Sequence, residues 1–118
     1  MIIKFEDVRY SLPINNVVFT KNEDDEDCVF FITNWYDIPE YRNMMNELFE
    51  FRYGVDAEID REQTIMYICF SKEYNLNHFF IDAVGYDEGY RLQHTYVYAT
   101  EVEISEKEAI FINASIVA

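Results

Sequence analysis

The chain has little that bends or interrupts regular structure. Only three glycines and two prolines occur in its 118 residues, a composition without long flexible linkers. Cysteine is almost absent. Cys28 and Cys69 are the only two. Both lie in apolar runs, CVFFI and IMYICF, and read as buried, reduced, small hydrophobes of a cytoplasmic protein rather than as a disulfide scaffold. Histidine occurs only as His78 and His94. No Cys-x-x-Cys or His-x-x-x-His spacing exists, so no metal site of zinc type is expected. There is no Gly-x-Ser-x-Gly elbow, no Gly-rich phosphate cradle and no dinucleotide fingerprint. The expectation is a protein that is not an enzyme and holds no cofactor. No run approaches the ~18 apolar residues of a membrane span. The segment Met1 to Leu12 carries Lys4, Glu6, Asp7 and Arg9, and lacks the apolar core of a signal peptide.

Positive charge is also scarce. Nine Lys and Arg face 23 Asp and Glu, for a formal net charge of −14. Repulsion of that size opposes compaction at low salt. It makes nucleic acid and anionic membrane poor partners and a basic protein a good one.

What is plentiful is apolar and aromatic. Hydrophobic residues make up 50% of the chain, with ten Tyr and ten Phe. This is a core-forming composition, read as a single domain over 1–118 and favouring a monomer. The clearest helix runs from Asp37 to Gly54. Pro39 suits its first turn, and Glu40 complements the helix dipole. Tyr41, Met44, Met45 and Leu48 recur at helical spacing, with Phe49 and Phe51 at the edges of the stripe. Asn43, Asn46, Glu47 and Glu50 form the wet face, and Gly54 is the stop. Strands are expected at Met1–Phe5, Val17–Thr20, Cys28–Thr33, Val55–Asp60, Thr64–Phe70, Arg91–Ile104 and Ala109–Val117. A second helix is expected after Asn75, with Leu76, Phe79, Phe80, Ala83 and Val84 on its apolar face and Gly85 as its end. The fold class is therefore α+β, a mainly antiparallel sheet with two helices on one face. From Cys28 to Ile104 the order reads βαββαβ, a ferredoxin-like core with extra N- and C-terminal strands. The rival is an α+β fold whose N-terminal strands and final hairpin form one meander around the first helix.

Candidate functional residues fall into two groups. The acidic loop contains Glu23, Asp24, Asp25, Glu26 and Asp27. It lacks the glycine and the twelfth-position glutamate of a calcium loop, so it reads as a solvated or partner-facing stretch. The second group sets aromatics beside acids: Trp35 and Tyr36 next to Asp37, and Tyr86, Asp87, Glu88 and Tyr90 in one loop. Tyr and Trp give rigid contact area, and carboxylates take Lys and Arg. The competing reading puts these rings in the core. His94 alternates with Leu92 and Tyr96 and is expected to face inward. His78 is expected on the second helix, four residues before Asp82. Taken together, these features point to a small acidic inhibitor of a basic, nuclease-type toxin, of the bacterial or phage immunity-protein kind. The alternatives are a phage anti-defence protein that mimics DNA, or a small-ligand or enzyme domain with His94 in an aromatic pocket.

Overall fold

The computed structural model of the protein describes residues 1–21, 29–52, 58–70 and 76–117. Among them are β1 (Ile2–Phe5), β2 (Val8–Ser11), β3 (Phe19–Lys21), β4 (Val29–Ile32), α1 (Pro39–Glu47), β5 (Glu58–Ile59), β6 (Ile65–Phe70), β7 (Leu76–Tyr86), β8 (Leu92–Tyr98), β9 (Glu101–Glu103) and α2 (Glu106–Val117). Every pairing between these strands is antiparallel. The fold class is α+β, as the sequence indicates.

Helix α1 forms where its pattern says it should. Pro39 occupies the first turn, and Ile38 precedes it in extended conformation. Tyr41, Met44, Met45, Leu48 and Phe49 are buried, while Asn43, Asn46, Glu47 and Glu50 are exposed. The last turn, Leu48–Arg52, widens to a π-helical turn. Gly54 lies outside the described residues. Leu48 is fully buried, so Leu48→Ala is expected to cost roughly 2–5 kcal/mol. Glu47→Ala should move stability by less than about 0.5 kcal/mol. Chemical denaturation of both variants checks the rotation of the helix, and equal effects would show it to be misplaced.

The strands make two sheets. A small one has the order β2-β1-β9. The larger runs β3-β4-β6-β7, with β5 and β8 also on β7. Tyr86 pairs with Glu58 of β5 and with Leu92 of β8, so those two strands lie on opposite edges of β7. By the same reasoning β6 and β8 lie on opposite edges, and β8 ends that side of the sheet. One face of the large sheet carries Phe30, Ile32, Met66, Ile68, Phe79, Ile81, Ala83 and Val97. These pack with α1, β1 and Ile112 of α2 in a shared core.

Three expectations are overturned. The stretch read as the second helix is instead β7, the longest described strand. Phe79, Ile81 and Ala83 point one way along it, and Phe80 and Asp82 the other. Both faces carry apolar residues, and a two-sided strand imitates the i, i+3, i+4 spacing of a helix. Gly85 is therefore a buried strand residue and not a helix stop. The stretch read as the last strand is α2. Its start is a capping box: Ser105 Oγ accepts from the Glu108 amide, and Glu108 Oε1 accepts from the Ser105 amide. The long strand Arg91–Ile104 breaks at Ala99–Thr100, and its end, as β9, joins the small sheet. The βαββαβ order is thus not the order observed. Asn75, Cys28 and the first half of the expected strand Val55–Asp60, residues 55–57, lie outside the described residues. The hairpin β1–β2 was not anticipated. It turns at Glu6–Asp7, where Glu6 adopts a positive φ of 53°.

Candidate functional site

The face of the large sheet opposite the core is crossed by a row of rings. Cross-strand pairing sets Phe31 of β4 beside Tyr67 of β6, Tyr67 beside Phe80 of β7, and Phe80 beside Tyr98 of β8. Tyr67 and Phe80 stack at 4.4 Å and 2° between planes, and Phe80 stacks on Tyr98 at 5.2 Å. Phe31 meets Tyr67 edge-on at 4.9 Å. Such cross-strand aromatic pairs stiffen a sheet by roughly 0.2–1 kcal/mol each. Their outer end is open to solvent: Tyr98 is 63% exposed and its same-face neighbour Tyr96 55%. An uncovered sheet face is ordinarily polar. This one is aromatic.

Asp82 and His94 stand on the same face. The His94 side chain is 43% exposed, and its Nδ1 lies 3.0 Å from Asp82 Oδ1. The His94 ring lies near-parallel to Tyr96. The expectation that His94 faces inward is therefore reversed. The alternation with Leu92 and Tyr96 is real, but the even-numbered residues of β8 face out, while Thr95 and Val97 face in. His78 is exposed on β7, so the helical pair with Asp82 does not form. Partial burial raises the Tyr67 hydroxyl above its ordinary value, helped by the nearby Asp82 carboxylate.

The face continues to the β7–β8 loop. Tyr86 pairs with Leu92, and both are exposed. Asp87 holds the loop. Its Oδ1 accepts from the Gly89 and Arg91 amides, each at 2.9 Å, and its Oδ2 accepts from Arg91 Nε and Gln93 Nε2. Both oxygens are thus engaged within the chain, and Asp87 shapes the loop that presents its neighbours. Glu88 is exposed. Tyr90 is 88% exposed and sits at φ 58°, a left-handed backbone that costs a non-glycine residue roughly 1–2 kcal/mol.

Asp87 also makes the loop acid-sensitive. The Arg91 amide hydrogen bond, with those from Gly89, Gln93 and the Arg91 side chain, holds its carboxyl below the ordinary 3.8. A depressed carboxyl stabilises the folded loop above its unfolded value and ceases to do so as pH falls through the folded one. The Gly89 and Arg91 amide resonances should therefore titrate together with a midpoint below 3.8. Asp87→Asn should abolish that titration. A midpoint at or above the ordinary value would contradict the arrangement.

The other sequence-derived group divides. Trp35 is 2% exposed, and its Nε1 donates to Thr64 O at 2.8 Å. It belongs to the core and not to the surface. Tyr36 is exposed, packs edge-on against Trp35, and has Arg61 at 4.6 Å and Arg42 at 5.8 Å over its ring. Its faces are therefore used by this chain's own guanidinium groups. The turn Asp60–Thr64 links the two groups. Thr64 receives Trp35, Arg61 covers Tyr36, and Gln63 Nε2 reaches both Asp60 Oδ2 and Tyr86 Oη. The acidic residues Glu23, Asp24, Asp25, Glu26 and Asp27 lie outside the described residues. Phe31, Tyr67, Phe80, Asp82, Tyr96 and Tyr98 were not among the candidates. Their signal was present as alternation, but alternation alone does not say which side faces the core.

Open grooves lie between Pro13–Asn15 and the start of α2, beside Tyr36–Arg61, and at the rim of the face beside Glu58–Tyr86. None of the three is lined by His94. Among the described residues no group of His, Cys, Asp and Glu is placed to hold a metal ion, and no helix is long and apolar enough to cross a membrane. Comparison with family models, curated proteins and solved structures found no match.

Proposed function

We propose that this protein works by binding a basic protein through the open face of its large sheet, as an inhibitor of immunity-protein type. The observation that carries the reading is an aromatic row, half-buried at Phe31, Tyr67 and Phe80 and exposed at Tyr98 and its neighbour Tyr96, on a chain of net charge −14. Exposed apolar area of this kind marks interaction surfaces, and tyrosine is a frequent anchor in them. Glu58, Asp82 and Glu88 stand on or beside the face, so a cationic partner finds carboxylates around an aromatic centre. A protein whose cleft is built for phosphate has the complementary charge, and opposite charge speeds encounter. A DNA mimic would instead space carboxylates along its contact surface, and here rings occupy that place. The pairing of His94 with Asp82 is the one feature that suits a proton-transfer site. It lies on an open sheet surface, where water is not excluded.

The test is affinity capture from a lysate of the source organism, on the wild-type protein and on a Tyr96→Ala/Tyr98→Ala variant of unchanged circular dichroism. The reading expects a basic protein that the wild type retains and the variant loses, with retention falling as salt rises. A captured protein that is acidic, or that both columns hold equally at all salt concentrations, would overturn it.

A further inference from the structure

We infer that the outer edge of β8 is a pairing site for a second copy of this chain, joining two large sheets antiparallel across a twofold axis. This inference stands apart from the partner proposed above. Ala99 N donates to Phe79 O at 2.9 Å, one residue beyond the pair Phe80 and Tyr98. Hydrogen-bonded pairs alternate in an antiparallel ladder. The odd-numbered residues Gln93, Thr95 and Val97 therefore bond to β7, and Leu92, His94, Tyr96 and Tyr98 direct their N–H and C=O groups away from it. Farther along the same edge, Thr100 N donates to Lys4 O at 2.7 Å, so β1 covers that end. From Tyr98 back to Leu92, β8 pairs with no described strand but β7.

The other edges in these two sheets are short. β2 has four residues, β3 and β9 three each and β5 two, against seven in β8. Proteins guard long edges with charge, proline or a bulge. β8 has none of these. Leu92 to Thr100 contains no Asp, Glu, Lys, Arg or Pro, and its register against β7 is unbroken.

Self-complementarity is what selects a second copy as the occupant: this antiparallel edge meets its own copy across a twofold with every outward group matched. Two chains of −14 repel, and an edge without Asp, Glu, Lys or Arg adds no like-charge contact to that repulsion. With the twofold beside Thr95, His94 lies opposite Tyr96 of the second copy and Leu92 opposite Tyr98. All four outward-facing residues are then in register, and the two open faces become one. The repulsion also gives the association a signature. It should strengthen as salt screens the charge, the reverse of binding to a cationic protein.

The experiment is sedimentation velocity on the full chain at low and high salt, with amide hydrogen exchange by NMR at high and low protein concentration. The expected mass moves from 14.2 kDa toward twice that value as salt and protein concentration rise. The amides of Leu92, His94, Tyr96 and Tyr98 should gain protection with dimerisation. Those of Gln93, Thr95 and Val97 should be protected throughout. Tyr96→Pro removes an outward N–H without taking one from the bond to β7, and should weaken self-association at least ~10-fold, that is by about 1.4 kcal/mol. If that variant fails to fold, the wild-type exchange pattern decides. A monomer under all conditions would overturn the inference, as would a dimer in which the four outward amides stay unprotected.

Discussion

Trp35→Ala is expected to lower stability by about 3–5 kcal/mol, the range for emptying a buried tryptophan site. The residue is 2% exposed and belongs to the same core as α1 and the inner sheet face. Its indole N–H meets Thr64 O, and Thr64 Oγ1 in turn accepts from Val84 N and donates to Val84 O. The deletion thus opens a cavity and also loosens the turn that reaches Tyr86. Trp35→Phe should cost less. It keeps much of the volume but leaves a buried carbonyl unmet, at about 1–3 kcal/mol. Tyr36→Ala, one residue on and exposed, should change stability by less than about 1 kcal/mol. Chemical denaturation separates the three. Trp35 is the only tryptophan, so its fluorescence reports the transition of the wild type and of Tyr36→Ala, and far-UV circular dichroism follows the two Trp35 variants. A Trp35→Ala cost no larger than that of Tyr36→Ala would return Trp35 to the surface.

Truncating the open face should do the opposite. Tyr96→Ala and Tyr98→Ala remove rings that stand mostly in solvent, so stability should fall by no more than ~1 kcal/mol, the value of the lost cross-strand stacking. Affinity for the basic partner should fall by ~2 kcal/mol or more, about 30-fold, through faster dissociation. Neutralising Asp24, Asp25 and Asp27 together should act on the other rate. Charges that steer encounter slow association when removed and flatten its dependence on salt. Surface plasmon resonance at two salt concentrations reads both rates. If the tyrosine variants bind as the wild type does, the anchors are elsewhere.

Much of the fold is legible in the sequence because single-sided patterns are unambiguous. Pro39 with the stripe Tyr41, Met44, Met45 and Leu48 allows one helix and one rotation. The continuous apolar runs around Val29–Ile32 and Ile65–Phe70 read as central strands and are central. The failures come from two-sided patterns. β7 carries Phe79 and Ile81 inward but Phe80 outward, and the outward Phe80 together with Val84 completes a false helical stripe. In β8 the alternation is real but does not say which side is inner, because tyrosine suits both core and surface. For α2, the spacing Ser105-x-x-Glu108 ahead of an apolar run is a capping box legible in the sequence, and it outweighs the strand-like alternation of Ile110 and Ile112. The loop Tyr86–Tyr90 was legible as a loop. That Asp87 spends both oxygens inside it was not, because the donors at Arg91 and Gln93 arrive only through the turn itself.

The central claim is the location of the contact surface, and amide NMR with the captured basic partner tests it most directly. Titration should perturb resonances along Tyr67, Phe80, Asp82, Tyr86 and Leu92 to Tyr98, and leave the exposed side of α1 at Asn43, Asn46 and Glu47 unchanged. Perturbations confined to α1 or α2, with the aromatic row silent, would contradict the account.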